Sequence, residues 1–66
     1  MEVIHKILDS GHHYVRAVGF NHLYAQWPRG LLLTRGDVSH GLGYMSDETI
    51  NKFCEAAQQA ADAATR

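Results

Sequence analysis

From Ser46 onward the apolar residues fall at Ile50, Phe53, Cys54, Ala57, Ala61 and Ala64. Steps of three, four and seven place all six on one stripe of an α-helix, predicted over about Asp47 to Ala64. Ser46 suits the N-cap, Asp47 and Glu48 complement the positive end of the helix dipole, and Met45 with Ile50 matches a hydrophobic staple. Glu48 with Lys52 and Asp62 with Arg66 are i,i+4 pairs in the favourable acid-first order.

Upstream the pattern changes to short, strand-like segments, and all six glycines lie there. Glu2 to Leu8 is aliphatic and β-branched and stops at Asp9-Ser10-Gly11, a turn cluster. A second extended stretch runs from about His13 to Phe20 and a third from about His22 to Trp27. Gly19-Phe20-Asn21 reads as the turn between them, the alternative being one long strand bulged at Gly19. Pro28-Arg29-Gly30 ends the third strand, and Leu31 to Thr34 reads as a short fourth, closed by Arg35-Gly36-Asp37. Val38 to Met45 reads as a loop or a short irregular edge strand. The expected fold is α+β in two layers within one domain over residues 1–66: an antiparallel meander of three to four strands within residues 2–45, followed by one C-terminal helix within 46–65 packed on one sheet face.

Alternation sorts the side chains. Tyr14, Arg16, Val18 and Phe20 share one face of the second strand; His22, Tyr24 and Gln26 share one face of the third, opposite Leu23, Ala25 and Trp27. Leu23 and Trp27 are assigned to the core beneath the helix. A single helix covers one face only, so the other meets solvent, a second copy or a partner.

A 66-residue chain buries only about 60% of the surface its unfolded form exposes. Small domains compensate with disulfides, metals or association. Cys54 is the only cysteine, which removes an intramolecular disulfide and a cysteine-based zinc site. With no leader-like segment and no apolar run longer than Leu31-Leu32-Leu33, the expected location is cytoplasmic, with no membrane association. Residues 1–45 carry Lys6, Arg16, Arg29 and Arg35 against Glu2, Asp9 and Asp37, a balance of +1, while residues 46–66 stand at −2. Neither value approaches the positive density that drives phosphate-backbone binding.

Catalytic signatures are absent. Ser39 beside His40 lacks an oxyanion-forming motif, Cys54 sits on the apolar stripe where a thiol acts as a small hydrophobe, and Asp37 with His40 reads as turn capping. Arg35-Gly36-Asp37 resembles the integrin-recognition tripeptide of secreted adhesive proteins, but reads as a turn; Gly41-Leu42-Gly43 is too short for a phosphate loop. Five histidines raise the question of a metal, with His13, His22 and His40 as one ligand set from neighbouring strands. Against it, His12 and His13 point to opposite faces of a strand. The expectation is no enzyme, no cofactor and no metal.

The aromatic residues carry more weight, because Tyr, Trp and Arg anchor protein interfaces. Tyr14, Arg16, Tyr24 and Arg35 are the partner-binding candidates. A protein partner is favoured, and the alanine-rich second half of the helix leaves room for a homodimer. Base stacking on the sheet aromatics, with Lys6, Arg16, Arg29 and Arg35 on the phosphates, is the nucleic-acid alternative. A histidine metal-binding domain is the third. In size, layout and lack of catalytic signatures the chain resembles the small stand-alone proteins of phages and mobile elements, among them anti-CRISPR proteins. That likeness implies a small inhibitor that occupies a surface of a host protein.

Overall fold

The helix α1 spans Asp47–Ala64, as the stripe requires, in a computed structural model that describes residues 1–41 and 43–65. Ser46 is its N-cap: the hydroxyl accepts from the Thr49 N–H at 3.2 Å and lies 2.9 Å from the Thr49 hydroxyl. Lys52 reaches Glu48 at 3.3 Å. The Asp62–Arg66 pair lies outside the described residues. Ile50, Phe53, Ala57 and Ala61 are buried, but Ala64 is exposed, so the stripe ends one turn earlier than its spacing suggests. Replacing Ser46 with alanine strips the cap from a helix whose first turn holds Ile50 in the core; a loss of about 1 kcal/mol is expected in urea melts.

Four antiparallel strands pair in chain order: β1 (Val3–Ile7), β2 (His13–Ala17), β3 (Tyr24–Trp27) and β4 (Val38–Ser39). The first connection is tight, with the Leu8 N–H donating to His12 O at 2.9 Å and the Gly11 N–H to Leu8 O at 2.8 Å. Gly19, at φ +88, sits in the second turn, closed by the Ala17 N–H on Leu23 O. The chain therefore turns there rather than bulging.

The fourth strand is displaced from its expected place. Leu31 to Thr34 form no strand; Leu31 and Leu32 are exposed, and the Leu33 N–H donates to Gln58 Oε1 at 2.8 Å instead of joining a ladder. Pairing falls to Val38 and Ser39, opposite Ala25 and Tyr24. A single 3₁₀ turn, Arg35–Asp37, delivers the chain to them. Its Asp37 carboxylate accepts from the Thr34 N–H at 2.9 Å and hydroxyl at 3.0 Å. The Arg35-Gly36-Asp37 tripeptide is thus a structural turn, its acidic group already engaged.

The core forms where α1 meets the sheet: Val15, Ala17, Leu23, Ala25 and Trp27 below, Phe53, Ala57 and Ala61 above, with Val3, Leu33, Val38 and Met45 packed at the margin. Leu23 and Trp27 take the core positions that alternation assigns them.

Candidate functional site

The strand registers determine what the uncovered sheet face displays. Lys6 faces Tyr14, which faces Gln26; Ile4 faces Arg16, which faces Tyr24, which faces Ser39. Successive strand residues point to opposite faces. Since Val15, Ala17, Ala25 and Trp27 point into the core, these two rows point away from α1. Tyr14 and Tyr24 are diagonal neighbours, their rings stacked at 5.9 Å between centroids and 29° between planes. Lys6 Nζ stands 5.4 Å from the Tyr14 centroid, within cation–π range.

The face therefore offers two ring surfaces already fixed against each other, flanked by Lys6 and Arg16. Neither cation forms an ion pair among the described residues. Ile4, Val18 and Tyr24 add exposed apolar area, at 49%, 38% and 38%. Aromatic rings held in place lose little freedom on contact with a partner, and Arg at their side supplies directional donors.

Of the four candidate residues, Tyr14, Arg16 and Tyr24 come together here. Arg35 does not. Its guanidinium donates to Asp47 Oδ1 and Asn51 Oδ1, each at 2.8 Å, which ties the 3₁₀ turn to the first turns of α1 on the other layer. Lys6 takes its place on the face, a role that follows once its register with Tyr14 is known.

The histidines do not assemble as the metal reading needs. Among the described residues no three His, Cys, Asp or Glu side chains gather as a metal would require. His13 pairs with His5, Nε2 of His5 lying 2.9 Å from Nδ1 of His13. His22 packs beside Gly41, where an added Cβ would come within 3.0 Å of it, and His40 Nδ1 lies 3.2 Å from Gly43 O. The reason is register: His13 faces Ile7 and Trp27 at one end of the strands, whereas His22 belongs to the turn at the other.

Among the described residues His13 is the one buried polar residue, 4% exposed, between the rings of His5 and Trp27, both at 5.1 Å. Burial, then the neighbouring His5 and Arg29, holds its pKa below the ordinary histidine value, with Asp62 opposing. Burial likewise pushes the Cys54 thiol upward, Arg35 opposing, so the thiol is a poor nucleophile at neutral pH. A groove of about 720 Å³ opens beside His13, between the β1–β2 turn, the Pro28–Leu32 segment and the last turns of α1. Four of its polar side chains are engaged with one another: Ser10 Oγ bonds His12 Nδ1 at 3.0 Å, and Gln58, already holding the Leu33 N–H, donates to Asp62 at 2.9 Å. The sheet face, with two unpaired cations and a prearranged ring pair, has more to offer a ligand. No helix among the described residues is long and apolar enough to cross a membrane. No protein-family model, no curated protein and no solved structure matches the chain.

Proposed function

We propose that the protein is a non-enzymatic, cytoplasmic binding module that engages a protein partner through the uncovered sheet face. The single observation that supports this is the stacked Tyr14–Tyr24 pair beside Lys6 and Arg16, on the face that α1 leaves open. Such a face suits a partner surface that brings an apolar centre for the rings and carboxylates for the two cations. Inhibition of a host protein by surface occupation is the biological setting that fits a chain of this size and layout.

Nucleic acid is the second reading, favoured by the same stacked rings. The charge balance weighs against it: two cations flank the rings, and the whole chain stands at −1. Alanine at Tyr14, Arg16 and Tyr24, singly, is expected to weaken capture of the partner from a host lysate at least about tenfold. The helical circular-dichroism signal is expected to stay intact, because all three point away from the core. Arg35→Ala is expected to leave capture unchanged. Unchanged capture in all three face variants would remove the reading, and salt-sensitive binding to single-stranded oligonucleotides would replace it.

A further inference from the structure

The sheet has two edges of very different character. β4 is two residues long and offers almost no ladder, whereas β1 presents five residues, Val3–Ile7. Short strands protect an edge; long ones invite pairing. The hydrogen bonds that flank β1 settle which of its backbone groups are unused. The Val18 N–H donates to Glu2 O and the Leu8 N–H to His12 O, so the even-numbered residues of β1 exchange bonds with β2. In an antiparallel ladder the alternate residues then turn their N–H and C=O groups the other way. Val3, His5 and Ile7 therefore aim theirs out of the sheet, and among the described residues no side chain bonds to them.

This edge is self-complementary. A second copy laid antiparallel about a two-fold axis through His5 sets Val3 against Ile7, His5 against His5 and Ile7 against Val3, each facing pair exchanging two backbone hydrogen bonds. No other antiparallel register that keeps odd residues opposite odd ones pairs all of Val3, His5 and Ile7. On the uncovered face it sets Ile4 beside Lys6 of the second copy, so no like charges oppose and each lysine stem lies over an isoleucine. Ile4 on the uncovered face and Ile7 on the helix side, exposed by 49% and 44%, both lie on this edge strand.

The helix layer permits the approach. Arg35 and Leu33 hold α1 by Asp47, Asn51 and Gln58, which places those residues on the flank towards β3 and β4. At 100° per residue the opposite flank, above β1, carries Thr49, Ala56, Ala60 and Ala63. These side chains are small, so two helices can lie side by side across the axis.

We infer that the protein is a two-fold symmetric homodimer, joined edge to edge through β1 into one continuous eight-stranded antiparallel sheet. The inference stands apart from the identity of any partner, but the dimer presents two Tyr14–Tyr24 platforms on one continuous face, which makes binding through that face bivalent.

Sedimentation equilibrium and amide hydrogen exchange on the intact chain test it. The expected result is twice the chain mass, with the Val3, His5 and Ile7 amides protected although nothing in the monomer bonds them. Ile7→Pro removes an outward N–H at a position where an edge strand tolerates proline, and is expected to raise the dissociation constant at least about tenfold. Ile4→Lys, opposite Lys6 of the second copy, is expected to dissociate the dimer, whereas Ile4→Glu is expected to tighten it. Both act at an exposed position, so the comparison survives even if the proline variant fails to fold. A wild-type chain that stays monomeric at its highest soluble concentration overturns the inference. So does a dimer in which the three amides exchange freely, or in which the lysine and glutamate variants associate equally.

Discussion

Trp27→Ala is expected to unfold the protein at room temperature. The indole is 1% exposed and belongs, with Phe53, Leu23 and Val15, to the largest fully buried side chains of the core. Truncating a buried aromatic to alanine costs about 3–5 kcal/mol, in lost transfer energy and in the cavity left behind. Domains hold roughly 0.05–0.15 kcal/mol per residue, so a chain this short has little more than that to lose. Two of the three helix residues in that core cluster, Ala57 and Ala61, have no longer side chain with which to refill the site. Trp27→Phe should behave quite differently. The indole Nε1 is buried with no hydrogen-bond partner among the described residues, and an unsatisfied buried donor is itself unfavourable by about 1–3 kcal/mol. Phenylalanine gives up some volume but removes that donor, so its melt is expected to fall within about 1 kcal/mol of wild type. Urea titrations of the three proteins, followed by far-ultraviolet circular dichroism, check both. A cooperative Trp27→Ala melt near the wild-type midpoint would mean that Phe53 and its neighbours hold the layers together without the indole.

Those core positions were readable from alternation, and so was most of the uncovered face. Tyr14, Arg16, Tyr24 and Gln26 fall in phase with a polar period of two, and the same phase puts Val15, Ala25 and Trp27 beneath the helix. The helix was readable because its start combines a cap, acidic first-turn residues and the Met45–Ile50 staple. Three features were not. Leu31 to Thr34 has strand-like composition, yet the bond from the Leu33 N–H to Gln58 spans a sequence gap that local pattern cannot register. Arg35 looked like an interface cation because its partners, Asp47 and Asn51, become neighbours only after the helix folds back. The His5–His13 pair was hidden for a related reason. His13 shares the phase of Val15 and Ala17, which marks it as inward-facing, but the diagonal contact with His5 depends on the pairing of Ile7 with His13.

That pair makes stability depend on pH, and the sign can be worked out. Folding lowers the pKa of His13 below the ordinary 6.5, chiefly through burial and then through His5 and Arg29, with Asp62 opposing. Above about pH 7.5 the imidazole is neutral in both the folded and the unfolded chain, and contributes no pH dependence. As pH falls through 6.5 the unfolded chain takes up a proton that the folded chain refuses, so the unfolded state gains. Stability is therefore complete at neutral pH and is lost on acidification, until the folded pKa is passed. Geometry sharpens the loss. One proton can be shared across the 2.9 Å contact between His5 Nε2 and His13 Nδ1, one ring donating and the other accepting. A charged His13 carries an N–H at both ring nitrogens, so its Nδ1 can no longer accept from the His5 ring. The urea midpoints are expected to fall as the pH drops below the ordinary 6.5, ahead of the carboxylate titration that begins near pH 5. His13→Phe keeps an aromatic ring against Trp27 and removes the titration, so its urea midpoints should be nearly level over the window in which the wild type declines. Equal slopes in the two proteins would assign the acid sensitivity to other groups and leave His13 a packing residue only.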